Sequence, residues 1–244
     1  MLARILATLY GCYAAAAFVV VVFVLFCPVL IVAPTLRWRR AIGRACVRAW
    51  LYASFIPFRV RGREHLPQGP CVAVCNHASY LDGILLTAAL PARFTFLVQH
   101  GAADWPYIGL IVRRMGVHFV NREAPRAAAQ ATRGLIERLH AGESLAIFPE
   151  GTFRAAPVLL PFRSGAFLVA ARAGVPVVPV VLRGTRKLFG EGQRLFRHSR
   201  VDIEILPPLN PEGAHREAAE RLRAAARNAI LARCGEADGA IVAA

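Results

Sequence analysis

The chain has 244 residues, of which 56% are hydrophobic, and its formal net charge is +15. That length supplies one sizeable core plus an appendage, and a mean hydropathy of +0.45 is high for a wholly soluble enzyme, so part of the chain is expected to contact lipid. Nucleic-acid binding is excluded, because the arginines are spread along the chain and no DNA- or RNA-binding motif is present.

The N-terminal stretch is the first candidate for lipid contact. No charged residue lies between Arg4 and Arg37, and about 20 consecutive apolar residues are enough to cross a bilayer. A cleaved signal peptide would have a shorter apolar core and a small-residue cleavage site, so we predict a retained membrane anchor. Pro28 and Pro34 leave open whether the anchor spans the membrane or forms a kinked pair of helices that dips into one leaflet.

A basic amphipathic helix is predicted directly after the apolar stretch. Arginines recur there at spacings of three and four residues and therefore share one helical face, at Arg37, Arg40, Arg44 and Arg48. Such a helix is expected to rest in the headgroup layer of an anionic membrane, and the alternative is a core helix with a solvated basic face. The excess of arginines after the apolar stretch predicts that the remainder of the chain is cytoplasmic.

Strand and helix signals alternate after a Pro- and Gly-rich connection at 57–70. The predicted strands are 71–75, 94–98, 117–121, 144–148, 177–182 and 201–206. The predicted helices are 81–90, 105–115, 125–140, 164–173 and a last one from the N-cap Asn210 to about Cys234. This alternation predicts an α/β domain at 57–244, with a mixed sheet and helices on both faces, preceded by a membrane-anchoring helical segment at 1–56.

A polar heptad, 76–82, follows the first predicted strand. Ligand sites in α/β sheets gather just beyond the carboxyl ends of strands, so we expect His77 at the mouth of a site. Histidine accepts a proton near neutral pH, and Asp82 can hydrogen-bond its far nitrogen if it lies in the first turn of the next helix. The alternative is that Asn76 and Asp82 are turn and N-cap residues and His77 is a loop histidine.

The cysteines raise the question of a metal site or of disulfides. A cytoplasmic location keeps thiols reduced, which argues against disulfides among the six cysteines. Cys71, Cys75 and His77 share one face of a strand, but no fourth ligand has suitable spacing for zinc. We therefore predict that these cysteines are small buried thiols.

Two later strands also end in polar residues. Arg122 follows the strand 117–121 and is suited to grip a phosphate bidentately. The segment 148–154 places four functional groups beyond the strand 144–148: the Glu150 carboxylate, the flexible Gly151, the Thr152 hydroxyl and the Arg154 guanidinium. This set is able to bind a polar headgroup, and the alternative is a turn with solvated charges.

Together these stretches make the chain resemble the glycerolipid acyltransferase family. The resemblance covers about 71–184, where four short blocks occur in the expected order: His-x4-Asp at 77–82, then 116–122, the Glu-Gly-Thr block at 148–154 and a Val-Pro block at 175–180. It implies transfer of a fatty acyl group from a thioester, acyl-CoA or acyl carrier protein, to the free hydroxyl of 1-acyl-glycerol-3-phosphate, giving phosphatidate in phospholipid biosynthesis. No metal or bound cofactor is implied, and the partners are membrane lipids, the lysophospholipid and the acyl donor.

The resemblance also implies roles for the site residues. His77 would be the general base and Asp82 would hold its tautomer. Arg122 and the residues Glu150, Gly151, Thr152 and Arg154 would bind the acceptor.

One departure from the family pattern affects the acceptor. The family usually has a lysine and a glutamate near the second block, where this chain has Gln99 and Gly101. Since that lysine is expected to help hold the acceptor phosphate, a different lyso-lipid, lysophosphatidylcholine-like or lyso-ornithine lipid, is the first alternative, and protonated His100 is a partial substitute for the lysine. Two further hypotheses are a non-catalytic membrane lipid-binding protein and a hydrolase.

Overall fold

The structure is a computed structural model, and it describes residues 1–99, 108–120 and 125–239. Residues 2–53 form a helical hairpin. Its first arm is continuous through α1 (Leu2–Phe18), a π-helical stretch (Val19–Phe26) and α2 (Cys27–Val32), and its second arm is α3 (Leu36–Ala53). The hydroxyls of Tyr10 and Tyr13 on the first arm donate hydrogen bonds to the carbonyls of Ser54 and Ala53, at 3.0 and 2.6 Å. The two arms therefore lie antiparallel.

The first arm of the hairpin is the part of the described chain that is suited to contact lipid. Over Leu2–Val32 it is long and apolar enough to cross a membrane, with a mean hydropathy of 3.1, and only 17% of its apolar window is buried. It carries most of the exposed large apolar side chains among the described residues, for example Leu6, Leu9, Val20, Val24, Leu25 and Val32. An exposed apolar surface of this kind supports membrane association.

The remainder of the chain is built on a seven-stranded sheet. Its strands are β1 (Phe58–Arg61), β2 (Val72–Cys75), β3 (Phe94–Gln99), β4 (His118–Val120), β5 (Ser144–Ile147), β7 (Val177–Arg183) and β8 (Val201–Ile205). They lie in the order β1-β8-β7-β2-β5-β3-β4, and only the pair β7–β8 is antiparallel. A separate parallel pair joins β6 (Val158–Leu159) to β9 (Ala237–Asp238). The sheet is mixed, as the sequence predicts.

Helices cover both faces of this sheet. They are α4 (Asp82–Ala89), α5 (Ile108–Arg114), α6 (Pro125–His140), α7 (Gly165–Ala173), α8 (Thr185–Phe189) and α9 (Arg216–Cys234). Alternate residues of β2 point to opposite faces of the sheet and enter two different cores. Ala73 packs with α3 and α4, whereas Val72 and Val74 pack with α6, α7 and α9. Trp50 of α3 is fully buried in the first of these cores, so the helical hairpin and the sheet share one core.

Two elements differ from the prediction because their backbone partners are distant in sequence. Strand β1 lies inside the predicted connection, and it forms because it pairs in parallel with β8. Helix α9 begins at Arg216 instead of near Asn210, since the backbone of Leu209 pairs with Val177 and the Nδ1 atom of His215 accepts the capping hydrogen bond.

The arginine face of α3 also differs from the prediction that it rests among lipid headgroups. Three of its guanidinium groups donate to carbonyls at and just beyond the C-terminal end of α4, in the pairs Arg40–Ala92, Arg44–Leu90 and Arg48–Ala88. Carbonyls at a helix C-terminus carry partial negative charge and attract cations. These three arginines therefore hold the hairpin against the sheet domain, and Arg40 is only 7% exposed.

Candidate active site

The site lies at the carboxyl ends of two adjacent central strands. Strands β2 and β5 are parallel, with Val74 opposite Ile147, so the loops 76–82 and 148–154 leave the sheet side by side. Asn76 anchors the first loop, because its amide donates to the carbonyl of Leu182 at 3.0 Å and accepts from the N–H of the same residue at 2.8 Å. These two hydrogen bonds fix the start of the loop to β7.

His77 and Asp82 form the hydrogen-bonded pair that the sequence predicts. The Nδ1 atom of His77 lies 2.8 Å from Oδ2 of Asp82, which is fully buried as the first residue of α4. The same oxygen accepts hydrogen bonds from the backbone N–H groups of Ala78 and Ser79, at 2.6 and 2.8 Å. A carboxylate can only accept, so the proton is on Nδ1 and the Nε2 atom is available as a base.

Aromatic rings fix the orientation of the imidazole. The ring of Phe148 stacks on His77 with centroids 4.3 Å apart, and Phe153 contacts it at 4.6 Å. Tyr80 in turn packs edge-on against Phe153 at 4.8 Å. The His77 side chain retains 20% exposure, so its ring remains open to the site while its plane is held.

Glu150 lies behind the His77 loop and not in the open site. It is 3% exposed, and its two oxygens accept from the backbone N–H groups of His77 at 2.6 Å and Leu160 at 2.8 Å. Burial raises the pKa of this carboxyl from 4.5 to about 7, and the nearby carboxylates of Glu236 and Asp82 add to the rise. The position does not fit the predicted contact with an acceptor headgroup, because the carboxyl group is almost fully buried.

The other predicted headgroup residues lie at the rim. Gly151 has φ +75°, a conformation that favours glycine, and the turn there directs Phe153 toward His77. The side chains of Thr152 and Arg154 are exposed beside it. The structure thus brings His77, Asp82 and Glu150 together and leaves Thr152 and Arg154 facing solvent.

The remaining predicted site residues lie in or beside segments that the structure does not describe. Arg122 lies outside the described residues, as do His100 and Gly101, and so does the side chain of Gln99. Their part in an acceptor site stays a prediction.

An apolar cavity of about 380 Å³ begins beside the loop 76–82. Its walls come from the N-terminal hairpin (Phe18, Val22, Phe26, Cys46), from α4 (Gly83, Ile84, Thr87) and from the α5 side (Phe96, Ile111, Met115). Tyr80 also lines it and contacts Phe153, which contacts His77. The cavity therefore starts within two side chains of the imidazole and is suited to an apolar ligand.

The two cysteines near the site are buried thiols, as the sequence predicts. Cys71 and Cys75 are fully buried, and burial raises the pKa of both thiols, that of Cys75 well above its ordinary value. Within the described ranges, no group of three or more histidine, cysteine or acidic side chains is arranged to hold a metal ion.

Several site residues had no signal in the sequence. Asn76 reads as a turn residue, Tyr80 as one more residue of the polar heptad, and Phe148 and Phe153 as ordinary apolar positions. Their roles depend on contacts with His77 or with a neighbouring strand, which local patterns do not contain.

Comparison with known proteins finds similar sequences. The family model described as Acyltransferase matches residues 57–183. A chloroplastic 1-acyl-sn-glycerol-3-phosphate acyltransferase of Brassica napus is 36% identical over 179 residues, which are 71% of this chain and 52% of the relative. The beta form of 1-acyl-sn-glycerol-3-phosphate acyltransferase from Homo sapiens is 34% identical over 170 residues, 68% of this chain and 61% of the relative. The matches thus span between half and about three fifths of these relatives.

A solved structure supports the fold. The crystal structure of the 1-acyl-sn-glycerophosphate acyltransferase PlsC from Thermotoga maritima superposes with a TM-score of 0.72 at 24% sequence identity. The superposition covers 94% of this chain and 98% of the other. The helical hairpin and the mixed sheet are therefore one architecture shared over nearly the whole length.

Proposed function

This chain belongs to the acyltransferase family, and from that membership we propose that it transfers a fatty acyl group from an acyl thioester to the free hydroxyl of 1-acyl-glycerol-3-phosphate. The product is phosphatidate, for phospholipid biosynthesis. The observation that carries the proposal is the His77–Asp82 pair, with 2.8 Å between Nδ1 and Oδ2, next to an apolar cavity of about 380 Å³. The names of the relatives from Brassica napus and Homo sapiens support the acceptor.

His77 acts as general base in the proposed reaction. Its Nε2 atom takes the proton of the acceptor hydroxyl while the hydroxyl oxygen forms a bond to the thioester carbonyl carbon. Asp82 keeps Nδ1 protonated and stabilises the imidazolium that forms. The C–S bond then breaks, and the imidazolium returns the proton to the thiolate. These steps need no covalent enzyme intermediate, metal or bound cofactor.

The two substrates are assigned to different surfaces. The acyl chain enters the apolar cavity, whose opening at Tyr80 lies next to Phe153 and the imidazole. The exposed side chains of Thr152 and Arg154, together with Arg122, hold the acceptor phosphate, for which a guanidinium is well suited. The donor is acyl-CoA or acyl carrier protein.

The same proposal includes the membrane side. The hairpin inserts its exposed apolar surface into the bilayer, and the sheet domain lies on the cytoplasmic side, as the arginine excess after the apolar stretch indicates. An acceptor lipid then reaches the site without leaving the membrane surface.

A second acceptor class is favoured by one sequence feature. Gln99 and Gly101 replace the lysine and glutamate usual in the family, which removes a cation expected near the phosphate. On this hypothesis the enzyme acylates another lyso-lipid, such as a lysophosphatidylcholine-like or lyso-ornithine lipid, through the same His77 chemistry.

A transfer assay on the purified protein in lipid micelles tests both hypotheses. One labelled acyl thioester is offered with lysophosphatidate, a lysophosphatidylcholine-like lipid, a lyso-ornithine lipid or water alone, and acyl-CoA is compared with acyl carrier protein as donor. We expect transfer to lysophosphatidate that depends on His77. Preference for another lipid would support the second candidate, release of free fatty acid would indicate a hydrolase, and no transfer to any acceptor would contradict the enzymatic proposal.

A further inference from the structure

A C-terminal segment beyond the matched family domain is bonded through a short series of contacts to the loop 76–82, which carries His77 and is here called the catalytic loop. We propose that residues 236–238, here called the C-terminal clasp, position His77 for proton transfer by acting through Glu150. The inference rests on the proposed acyl transfer. The clasp residues do not touch the reacting groups, so their role is positioning.

The first contact joins the clasp to the segment that follows the Glu150 loop. Strand β9 pairs in parallel with β6, with Ala237 opposite Val158 and Asp238 opposite Leu159. The N–H of Ala237 donates to the carbonyl of Pro157 at 3.0 Å. The clasp is thus a strand partner for β6, which is not part of the seven-stranded sheet.

The second contact fixes the backbone of β6 from α9. Arg227 binds both carboxylate oxygens of Asp238, one of them at 3.2 Å from Nη1. The same guanidinium donates to the carbonyl of Leu159 at 3.1 Å and points at that of Leu160 at 3.5 Å. Since a guanidinium is planar and rigid, Asp238 sets its orientation and thereby the position of β6.

The third contact passes this position to the catalytic loop. The N–H of Leu160, directly after β6, donates to one oxygen of Glu150 at 2.8 Å, and the other oxygen accepts from the N–H of His77 at 2.6 Å. At 3% exposure, the Glu150 carboxylate is shielded from the bulk solvent that would otherwise replace a lost bond. A displacement of β6 therefore moves the Glu150 carboxylate, which accepts the hydrogen bond from the backbone N–H of His77.

A second branch of the clasp reaches the rim of the site. The Glu236 carboxylate accepts from two nitrogens of Arg186, at 2.9 and 2.7 Å. A third nitrogen of Arg186 donates to the carbonyls of Arg154 and Ala155, the latter at 3.3 Å. Glu236 thus restrains the loop that presents Arg154, so the two branches predict different kinetic effects.

The first variants are Ala237→Pro, which removes the N–H bonded to Pro157, and Asp238→Ala, which releases Arg227. Asp238→Glu is the conservative rescue. Glu212→Ala is the matched control, because it breaks an exposed 3.2 Å ion pair with Arg221 of α9 that is not connected to Glu150. Steady-state kcat and KM are measured together with melting temperature and amide hydrogen exchange of the segment 76–82.

In Ala237→Pro and Asp238→Ala we expect kcat to fall by about ten- to a hundredfold with little change in KM, since small displacements of a catalytic group have effects of this size. The His77 amide should exchange faster than in the unchanged chain, whereas amides of β2 should not. Asp238→Glu should restore most of the activity, and Glu236→Ala should raise the acceptor KM more than it lowers kcat.

The clasp role is overturned if kcat in Ala237→Pro and Asp238→Ala matches the Glu212→Ala control. It is also overturned if activity falls only in proportion to the folded fraction, or if exchange in 76–82 is unchanged while activity is lost. The exchange measurement requires no turnover. If the unchanged chain transfers no acyl group, the proposed function fails, and faster exchange at His77 still decides whether the clasp holds the loop.

Discussion

The two loops that leave the adjacent strands β2 and β5 are built differently. In the loop 76–82 three polar side chains are buried and hydrogen-bonded, those of Asn76, Ser79 and Asp82, each at most 1% exposed. Among the polar side chains of the loop 148–154 only that of Glu150 is buried, and those of Thr152 and Arg154 face solvent. Proton transfer needs fixed geometry, whereas binding a charged headgroup tolerates side chains that adapt. In the proposed reaction, the loop 76–82 therefore positions the base, and the residues of the loop 148–154 divide between support of that loop and recognition of the acceptor.

The largest expected effect comes from removing the base of the ordered loop. His77→Ala should lower the transfer rate by about a hundred- to ten-thousandfold, the usual contribution of general-base catalysis. His140→Ala, at an exposed histidine on α6, is the control. Rates are measured with saturating substrates, and melting temperature checks folding. An unchanged rate in the folded His77 variant would sink the catalytic assignment.

Substitution of Glu150, the buried polar residue of the loop 148–154, should lower kcat as substitution in the loop 76–82 does. The two oxygens of Glu150 accept hydrogen bonds from the N–H groups of His77 and Leu160. In Glu150→Gln an NH₂ group replaces one of these oxygens, so one of the two hydrogen bonds is lost. We expect kcat to fall by about ten- to a hundredfold with an unchanged acceptor KM.

Glu64→Gln, at an exposed position, is the control for that substitution. If Glu150→Gln raised KM and left kcat intact, the carboxylate would be an acceptor ligand after all, as the sequence predicts.

The exposed members of the second loop should show the opposite kinetic pattern. Arg154→Ala should raise the acceptor KM by about tenfold, the value of one charge-assisted hydrogen bond, and leave kcat nearly unchanged. Arg59→Ala on the edge strand β1 is the control, because that arginine is exposed at the far side of the sheet. A drop confined to kcat would contradict a role in acceptor binding.

A smaller effect is expected at the apolar wall next to these loops. Gly83 lines the cavity, and an added Cβ there would meet nothing within 4 Å, so Gly83→Leu fills space without a backbone clash. The preferred acyl chain should become shorter, with each excluded methylene changing relative rates by about fourfold. Gly134→Leu on α6, also without neighbours within 4 Å, is the control. An identical chain-length profile in both variants would contradict acyl binding in this cavity.

The last effect concerns stability and again separates Glu150 from its exposed neighbours. Its pKa is raised in the folded state from 4.5 to about 7, mainly by burial. The stabilisation is therefore complete below pH 4.5 and is lost as the pH rises to about 7, a change on the order of 3 kcal/mol.

The thermal stability of the unchanged chain relative to Glu150→Gln should accordingly fall between pH 4.5 and 7 and stay constant above it. Melting curves in micelles at pH 5, 6, 7 and 8 measure this difference. A difference independent of pH would show that the carboxyl titrates normally.

The predictable part of the fold follows from local patterns. The apolar runs gave β2, β5 and β7 within about a residue, and the helix 125–140 agrees at both ends with α6, Pro125–His140. Strand β1 and the pair β6–β9 were missed, because short segments become strands only when a distant partner supplies hydrogen bonds. The arginine face of α3 was assigned to lipid because its spacing is that of a surface helix, and spacing does not reveal the α4 carbonyls that it meets.

By itself the sequence determined the alternating α/β plan, the apolar N-terminal arm and the pairing of His77 with Asp82, because each depends on residues within one turn or one element. Only the tertiary structure decided that Glu150 supports the His77 backbone, that Asn76 is fixed to β7 and that the clasp reaches the same network. Those contacts join residues from about 70 to more than 100 positions apart. Their energy arises from burial and hydrogen bonds that exist only after the sheet has assembled.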